Sequence, residues 1–549
     1  MNKMKKVNFF YIISIFLLFL NVGMVIYYYN LKTSFHVDEL FSYGHANSSN
    51  GAYLVDGLNS GLRKKRVETY LTNRWFDGQI FHDYLTVQSE EQFNYKHIFK
   101  NLEVGVHPPL FYILLHTICS FTPDIFSKWQ GAILNILLWV ILLIMLYKLS
   151  SRFFKDKYLA LLPVVFYAFS QIGFNTVLYI RGYLLQTLWA ICLIYEAIIL
   201  LQEKTTSNKR WLLIFLYSLL SMLTQYNSIV YSTIIGIVIG LGLLFQKRYK
   251  DIIWLAMTLI LSLIALFAIF PEAINVFMHS ERADHVVKQG KNILASIKNI
   301  LYLNGNKQLS NIYMTALWSF NSAHNIIIAE IFILSIFYKY IYTKSRKDVD
   351  LLIIIYVLMC SYSDLFMPQM YIYNMRYIML IMPLLAIYTI WYIIFIMQQL
   401  TKRKTLALII LSSMILINSL RADFIHKSPY AFNLEAQDIT EINNKKVIWT
   451  VPEAVMFFEG IHLLQKTSQT YFIYSHKEIG AEELNKAEYL ISFNLDARYD
   501  MSLKPQKIAH LEENLQKNLT FIKTFKTGER FYDLYKIKCF ESECLEEKQ

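Results

Sequence analysis

Two adjacent carboxylates, Asp38 and Glu39, stand in the stretch Phe35-His36-Val37-Asp38-Glu39-Leu40, a few residues after a long apolar run at 7–29. That run is long enough to cross a bilayer. It ends in Tyr27-Tyr28-Tyr29, residues that settle at membrane–water interfaces. A carboxylate just past it lies at the depth of lipid head groups, where a phosphate-linked substrate would present its reacting carbon. Asp38 then has the position of a general base, a role worth typically ~10²–10⁴ in rate. Arg181, Arg376 and His107 also fall next to apolar runs. Fixed cations of this kind stabilise the negative charge that gathers on a departing phosphate, and a guanidinium fork matches phosphate oxygens.

The elements that must position these residues are membrane helices. The 549 residues are 55% hydrophobic and 17% charged, with a mean hydropathy of +0.34. A soluble globular chain carries more charge. Eleven apolar runs read as spans: 7–29, 129–149, 158–174, 183–201, 211–226, 229–245, 252–270, 326–342, 351–367, 377–397 and 406–420. The N-terminal run is too long for a cleaved signal peptide and reads as an uncleaved first span.

Basic loops fix the expected orientation. Segments 148–157, 204–210, 246–250, 343–347 and 401–404 all fall on the cytoplasmic side if the run 108–121 does not cross the membrane. Were it to cross, all five would face outward, against the positive-inside rule. The His107-Pro108-Pro109-Leu110 segment is therefore expected to begin a re-entrant or interfacial helix, proline being well placed at a helix start. The N-terminus is then cytoplasmic, while loop 30–128, loop 271–325 and the tail are extracytoplasmic. Asp38, His107, Arg181 and Arg376 converge on one outer layer. The net charge of +12 belongs to this pattern and does not point to nucleic acid.

The tail changes composition. Strand-like runs begin at Lys445, Thr470 and Glu488, helical patterns cover 452–466 and 505–519, and a hairpin closes over 521–538. The expected fold class is a polytopic α-helical membrane protein of about eleven spans plus the interfacial or re-entrant helix, with a small C-terminal extracytoplasmic α/β domain. The expected domains are 1–420, a membrane module that includes loop 30–128, and 421–549. Of five cysteines, Cys119, Cys192 and Cys360 lie in apolar runs, and Cys539 and Cys544 are a weak candidate pair. No metal-ligand spacing of Cys and His occurs.

The order Asp38-Glu39, His107-Pro108-Pro109-Leu110-Phe111-Tyr112, Arg181-Gly182-Tyr183 and Arg376-Tyr377 with Pro383 resembles the GT-C glycosyltransferases. It is most similar to the family-39 type, which includes protein O-mannosyltransferases and lipid A aminoarabinose transferases. The resemblance covers roughly 7–420. It implies a GT-C-like bundle and an enzyme that takes a sugar from a polyprenyl-phosphate donor, within the cell membrane, to an envelope glycan, lipid or protein acceptor. It implies Asp38 as base and Glu39 as helper, with His107, Arg181 and Arg376 on the donor phosphate and Tyr183 and Tyr377 supporting the arginines. Gln225 stands where related proteins often carry His and is a candidate donor contact. No cofactor is expected; a divalent metal is compatible with such chemistry, but no residue pattern supports it. The mannosyltransferase pattern has an acid two positions before the His. Here that position is Gly105, with Glu103 two further back, so either Glu103 replaces that acid or it is absent.

The same residues admit plainer readings. Asp38 and Glu39 suit a helix N-terminus, His107 can cap the Pro-Pro helix, Arg181 and Arg376 can snorkel, and Gln225 can be a core amide. Two further classes stay open. A transporter or flippase of lipid-linked sugars would place ionisable groups at depth and show internal repeats; Glu196 alone fits the first, and no repeat is present. A non-catalytic envelope-assembly protein would use the tail to bind polymer.

Overall fold

The apolar runs form helices packed to very different depths. The computed structural model describes residues 2–49, 51–52, 54, 72–103, 107–203, 207–279, 348–366, 376, 379–401, 439–452, 454–475, 477–494, 518–527 and 530–538. Among the described residues, five helices are long and apolar enough to cross a membrane: Phe9–Leu31, Lys128–Ser150, Tyr183–Gln202, Asn227–Phe245 and Tyr249–Ile269. The protein is thus a polytopic membrane protein. The expected spans at 326–342 and 406–420 lie outside the described residues, and those at 351–367 and 377–397 fall on the helices Val349–Phe366 and Met382–Thr401.

The chain divides into two units, one of 1–28, 106–111 and 132–428, the other of 29–105, 112–131 and 429–549. In the first, Tyr183–Gln202 is central. Its apolar window is 89% buried, against 22% for Tyr249–Ile269, which leaves the latter a broad face for lipid. Glu196, the acid inside the central helix, pairs at 2.6 Å with Arg210 of the helix Asn208–Met222. That partner accounts for a carboxylate in an apolar helix.

The run 158–174, expected as one span, is two helices, Lys157–Ala168 and Gln171–Leu178, bent by 64°. The break is written locally. Ser170 Oγ accepts from the Gly173 N–H at 3.1 Å, capping the second helix. A Cβ on Gly173 would stand 2.2 Å from the Tyr167 carbonyl oxygen, so the bend admits only glycine there. The Pro-Pro segment leads into a helix of ten residues, Leu110–Cys119. At 1.5 Å per residue it is about 15 Å long, half the hydrocarbon thickness.

The second unit is built on a six-stranded sheet of order β1-β3-β2-β4-β6-β5, where β1 is Trp75–Asp77, β2 Lys446–Val451, β3 Gln469–Tyr474, β4 Tyr489–Asn494, β5 Leu519–Thr527 and β6 Arg530–Ile537. β2 runs parallel to β3 and β4, and the other pairs are antiparallel. Ile448, Ile473, Leu484, Leu490 and Tyr535 form the core of one face. The pattern at 452–466 resolves as a 3-10 segment, Ala454–Gly460, and one turn of helix, Ile461–Leu464; of the pattern at 505–519, residues 505–517 lie outside the described residues and Leu519 begins β5. β1 comes from the segment 30–128, so this part of the chain shares a sheet with the tail. Trp75 pairs with Tyr471 and its indole N–H donates to Glu483 at 2.6 Å.

Candidate active site

Asp38 and Glu39 occupy the first turn of the helix Val37–Asn47. His36 is its N-cap: Nδ1 accepts from the Asp38 N–H at 3.1 Å, and the His36 N–H donates to Glu39 Oε2 at 2.9 Å. This is a reciprocal capping box with histidine in the place usually taken by Ser or Thr. Nδ1 also lies 3.9 Å from Asp38 Oδ2. Because Nδ1 spends its lone pair on the backbone, it holds no proton to offer, and we read the cap, not an ion pair.

The two carboxylates have opposite surroundings. Glu39 is fully buried, its Oε1 2.5 Å from Lys32 Nζ, and the Lys32 side chain is 1% exposed. Burial pushes the Lys32 ammonium below its usual pKa, while the charge and hydrogen bond of Glu39 pull it back up. Asp38 keeps 22% of its side chain exposed. Glu39 therefore anchors the turn, and Asp38 is the more accessible of the two carboxylates.

The helix carrying them is held along its length. The Tyr43 hydroxyl donates to Ser127 O at 2.9 Å and accepts from the Gly131 N–H at 3.0 Å. Asn47 donates to Leu85 O, and Asn101 donates to Ser48 O, both at 2.8 Å. Phe41 packs on Phe458 with ring centroids 4.8 Å apart. Leu40, Tyr43 and Ala46 are wholly buried. A side chain set on so restrained an element is held in a fixed position.

The other candidate residues belong to the first unit. His107 Nδ1 lies 3.1 Å from Gln225 Oε1. With that oxygen accepting, Nδ1 carries the proton and Nε2 is the basic nitrogen of the neutral ring. The Leu110 N–H donates to Leu223 O at 3.0 Å, so the start of the Pro-Pro helix and the Gln225 turn are tied twice. Gly182 adjoins this pair: a Cβ built on it would lie 3.3 Å from Gln225 Nε2. Gly182 follows Arg181, which puts Arg181, His107 and Gln225 in one neighbourhood.

Arg181 is 5% exposed. The bend at Ser170 sets its place, since the short helix Gln171–Leu178 ends just before it. Asn135 fixes that end by donating to Val177 O at 2.9 Å and Tyr179 O at 3.0 Å, taking up terminal carbonyls. Tyr179 and Tyr183 stack at 5.8 Å on either side of Arg181 in sequence. Arg376 is partly buried, while Tyr377 and Gly105 lie outside the described residues. Glu103 closes the helix Lys96–Glu103 and is exposed. Among the described residues no group of three His, Cys, Asp or Glu side chains is placed to hold a metal ion.

Sequence reasoning missed Lys32 and the cap by His36. A lysine seven positions before Glu39, across a break between helices, follows no helical or strand period, and histidine is not among the preferred caps.

No protein-family model matches the chain, and no curated protein matches it in sequence. Among solved structures it is similar to ArnT from Cupriavidus metallidurans in the apo state, with a TM-score of 0.44 and 8% identity over 97% of this chain and 98% of that one. The form of ArnT from Cupriavidus metallidurans bound to undecaprenyl phosphate gives a TM-score of 0.44 and 9% identity over the same shares. Scores of that size do not establish a family.

Proposed function

We propose that the protein is a membrane glycosyltransferase that moves a sugar from a polyprenyl-phosphate carrier to a hydroxyl or amine of an envelope glycan, lipid or protein, on the extracytoplasmic face. The observation that carries this reading is Asp38: an accessible carboxylate on the first turn of a rigidly held helix, a few residues beyond a membrane span. Adjacent Glu39, immobilised by Lys32, keeps that turn in place.

In this mechanism Asp38 takes the proton of the acceptor as its oxygen or nitrogen attacks the anomeric carbon. The bond from that carbon to the phosphate oxygen breaks, the electron pair leaves with the phosphate, and configuration inverts. The resemblance assigns Arg181 and Arg376 to the charge of the leaving phosphate, and His107, oriented by Gln225, to the same group. The resemblance gives Tyr183 and Tyr377 the role of supporting the arginines. The basic loops support a cytoplasmic N-terminus and an extracytoplasmic tail.

The test is transfer of a labelled sugar from a polyprenyl-phosphate donor by purified Asp38→Asn protein. A fall of ~10²–10⁴ is expected with the unfolding temperature unchanged; transfer at the parent rate would overturn the assignment. Proteoliposomes separate this reading from a flippase, since product must form without net crossing of the lipid-linked sugar. The pairing of Glu196 with Arg210 weakens the transporter reading, which drew on that acid.

A further inference from the structure

We infer that the second unit carries a binding site for the phosphate head group of a membrane lipid, in a cavity lined by Lys32, Lys128, Lys466 and Lys526. This goes beyond the transferase reading and would hold even if Asp38 transferred nothing.

The cavity has a volume of about 390 Å³, and none of the residues lining it is acidic. Phe35 and Phe126, with ring centroids 5.0 Å apart, form an apolar wall, and Ser34, Ser127 and Thr527 add hydroxyls. Glu39 offsets the charge at Lys32. Lys128 is different: its Nζ donates to the carbonyls of Asn30 at 3.1 Å and Lys32 at 2.6 Å, contacts that fix the ammonium without neutralising it. With Lys32 offset by Glu39, Lys128, Lys466 and Lys526 on one concavity focus a positive potential, and lysine serves phosphate as a compact point charge.

The chain sets the depth. Lys32 is the first residue past the span Phe9–Leu31, and Lys128 is the first residue of the span Lys128–Ser150. The bonds from Lys128 to Asn30 and Lys32 bring these two span ends together on one face. Their ammonium groups therefore belong to the layer where lipid phosphates lie. Lys466 and Lys526, from the turn after Ile461–Leu464 and from β5, line the same cavity. The volume suits a small molecule: a phosphate and the first carbons of its lipid, the latter against the phenylalanine wall.

The experiment uses the full chain in detergent, titrated with phosphatidic acid, phosphatidylglycerol, phosphatidylcholine and inorganic phosphate, with bound lipid read by native mass spectrometry. Both anionic lipids should be retained over phosphatidylcholine. The Lys466→Gln/Lys526→Gln protein should bind them ~25-fold more weakly, at roughly five-fold per lysine, while Lys466→Arg/Lys526→Arg keeps most of the affinity. An unchanged unfolding temperature shows that the Gln variant is folded. Equal retention of phosphatidylcholine, or a folded Gln variant binding like the parent, would overturn the proposal. Binding of inorganic phosphate without preference for either anionic lipid would overturn the lipid source.

Discussion

Lys32 Nζ and Glu39 Oε1 lie 2.5 Å apart with both side chains closed off from water. A buried pair of this sort contributes little net stability, because desolvation offsets the attraction, yet removal of one partner strands a charge. Glu39→Gln should therefore destabilise the protein by about 3–5 kcal/mol, whereas the paired change Lys32→Met/Glu39→Leu should cost much less. Thermal unfolding of the two variants side by side checks this. A single variant no worse than the double would show that the pair is not buried as described.

The bend before Arg181 depends on Gly173. Gly173→Ala forces a Cβ to within 2.2 Å of a backbone oxygen, and overpacking of this kind costs about 1–3 kcal/mol. Because the short helix delivers Arg181, transfer should fall further than stability alone explains. Donor affinity measured at a temperature where the variant is fully folded separates the two effects.

Gln225 and His107 should behave as a unit. Gln225→Leu takes the Oε1 acceptor away from the half-buried His107 ring, at a cost of about 1 kcal/mol, and should impair transfer. Gln225→Glu keeps an oxygen at the same place and should restore most of it. Equal activity of the Leu and Glu variants would mean that the contact does not orient His107.

Acid should loosen the second unit through His116. Its ring is fully buried, with the His97 ring centroid 5.3 Å away. Burial first, then the neighbouring imidazole, brings its pKa from 6.5 down to about 4. The unfolded chain thus takes up a proton that the folded chain refuses. Stability is complete above pH 6.5 and falls as pH drops toward about 4, by about 3 kcal/mol in all. Denaturation at several pH values should show this slope, and His116→Phe should flatten it.

Much of this architecture was legible from residue pattern, and the exceptions have physical causes. The long apolar runs became helices because a bilayer leaves the backbone no other way to satisfy its hydrogen bonds. The strand-like runs from Lys445, Thr470 and Glu488 became β2, β3 and β4, each a short apolar stretch between turn residues. The bend at Ser170 was missed because composition stays apolar across it, although a capping serine three residues before a glycine was present. β1 was missed because three residues are too few to show alternation. Within the candidate site, the position of Asp38 at a helix start was legible. The burial of Glu39 against Lys32 was not, since nothing in adjacent acids tells which one a distant lysine will claim.

β1 carries a consequence for biogenesis. Trp75 and its hydrogen-bond partner Glu483 are 408 positions apart, so the sheet cannot close until the ribosome has released nearly the whole chain. At about 5–20 residues per second, that leaves the early strand waiting about 20–80 s. Throughout that interval a tryptophan-bearing edge is exposed and available to chaperones or proteases, and truncation anywhere upstream of β3 would leave it permanently unpaired.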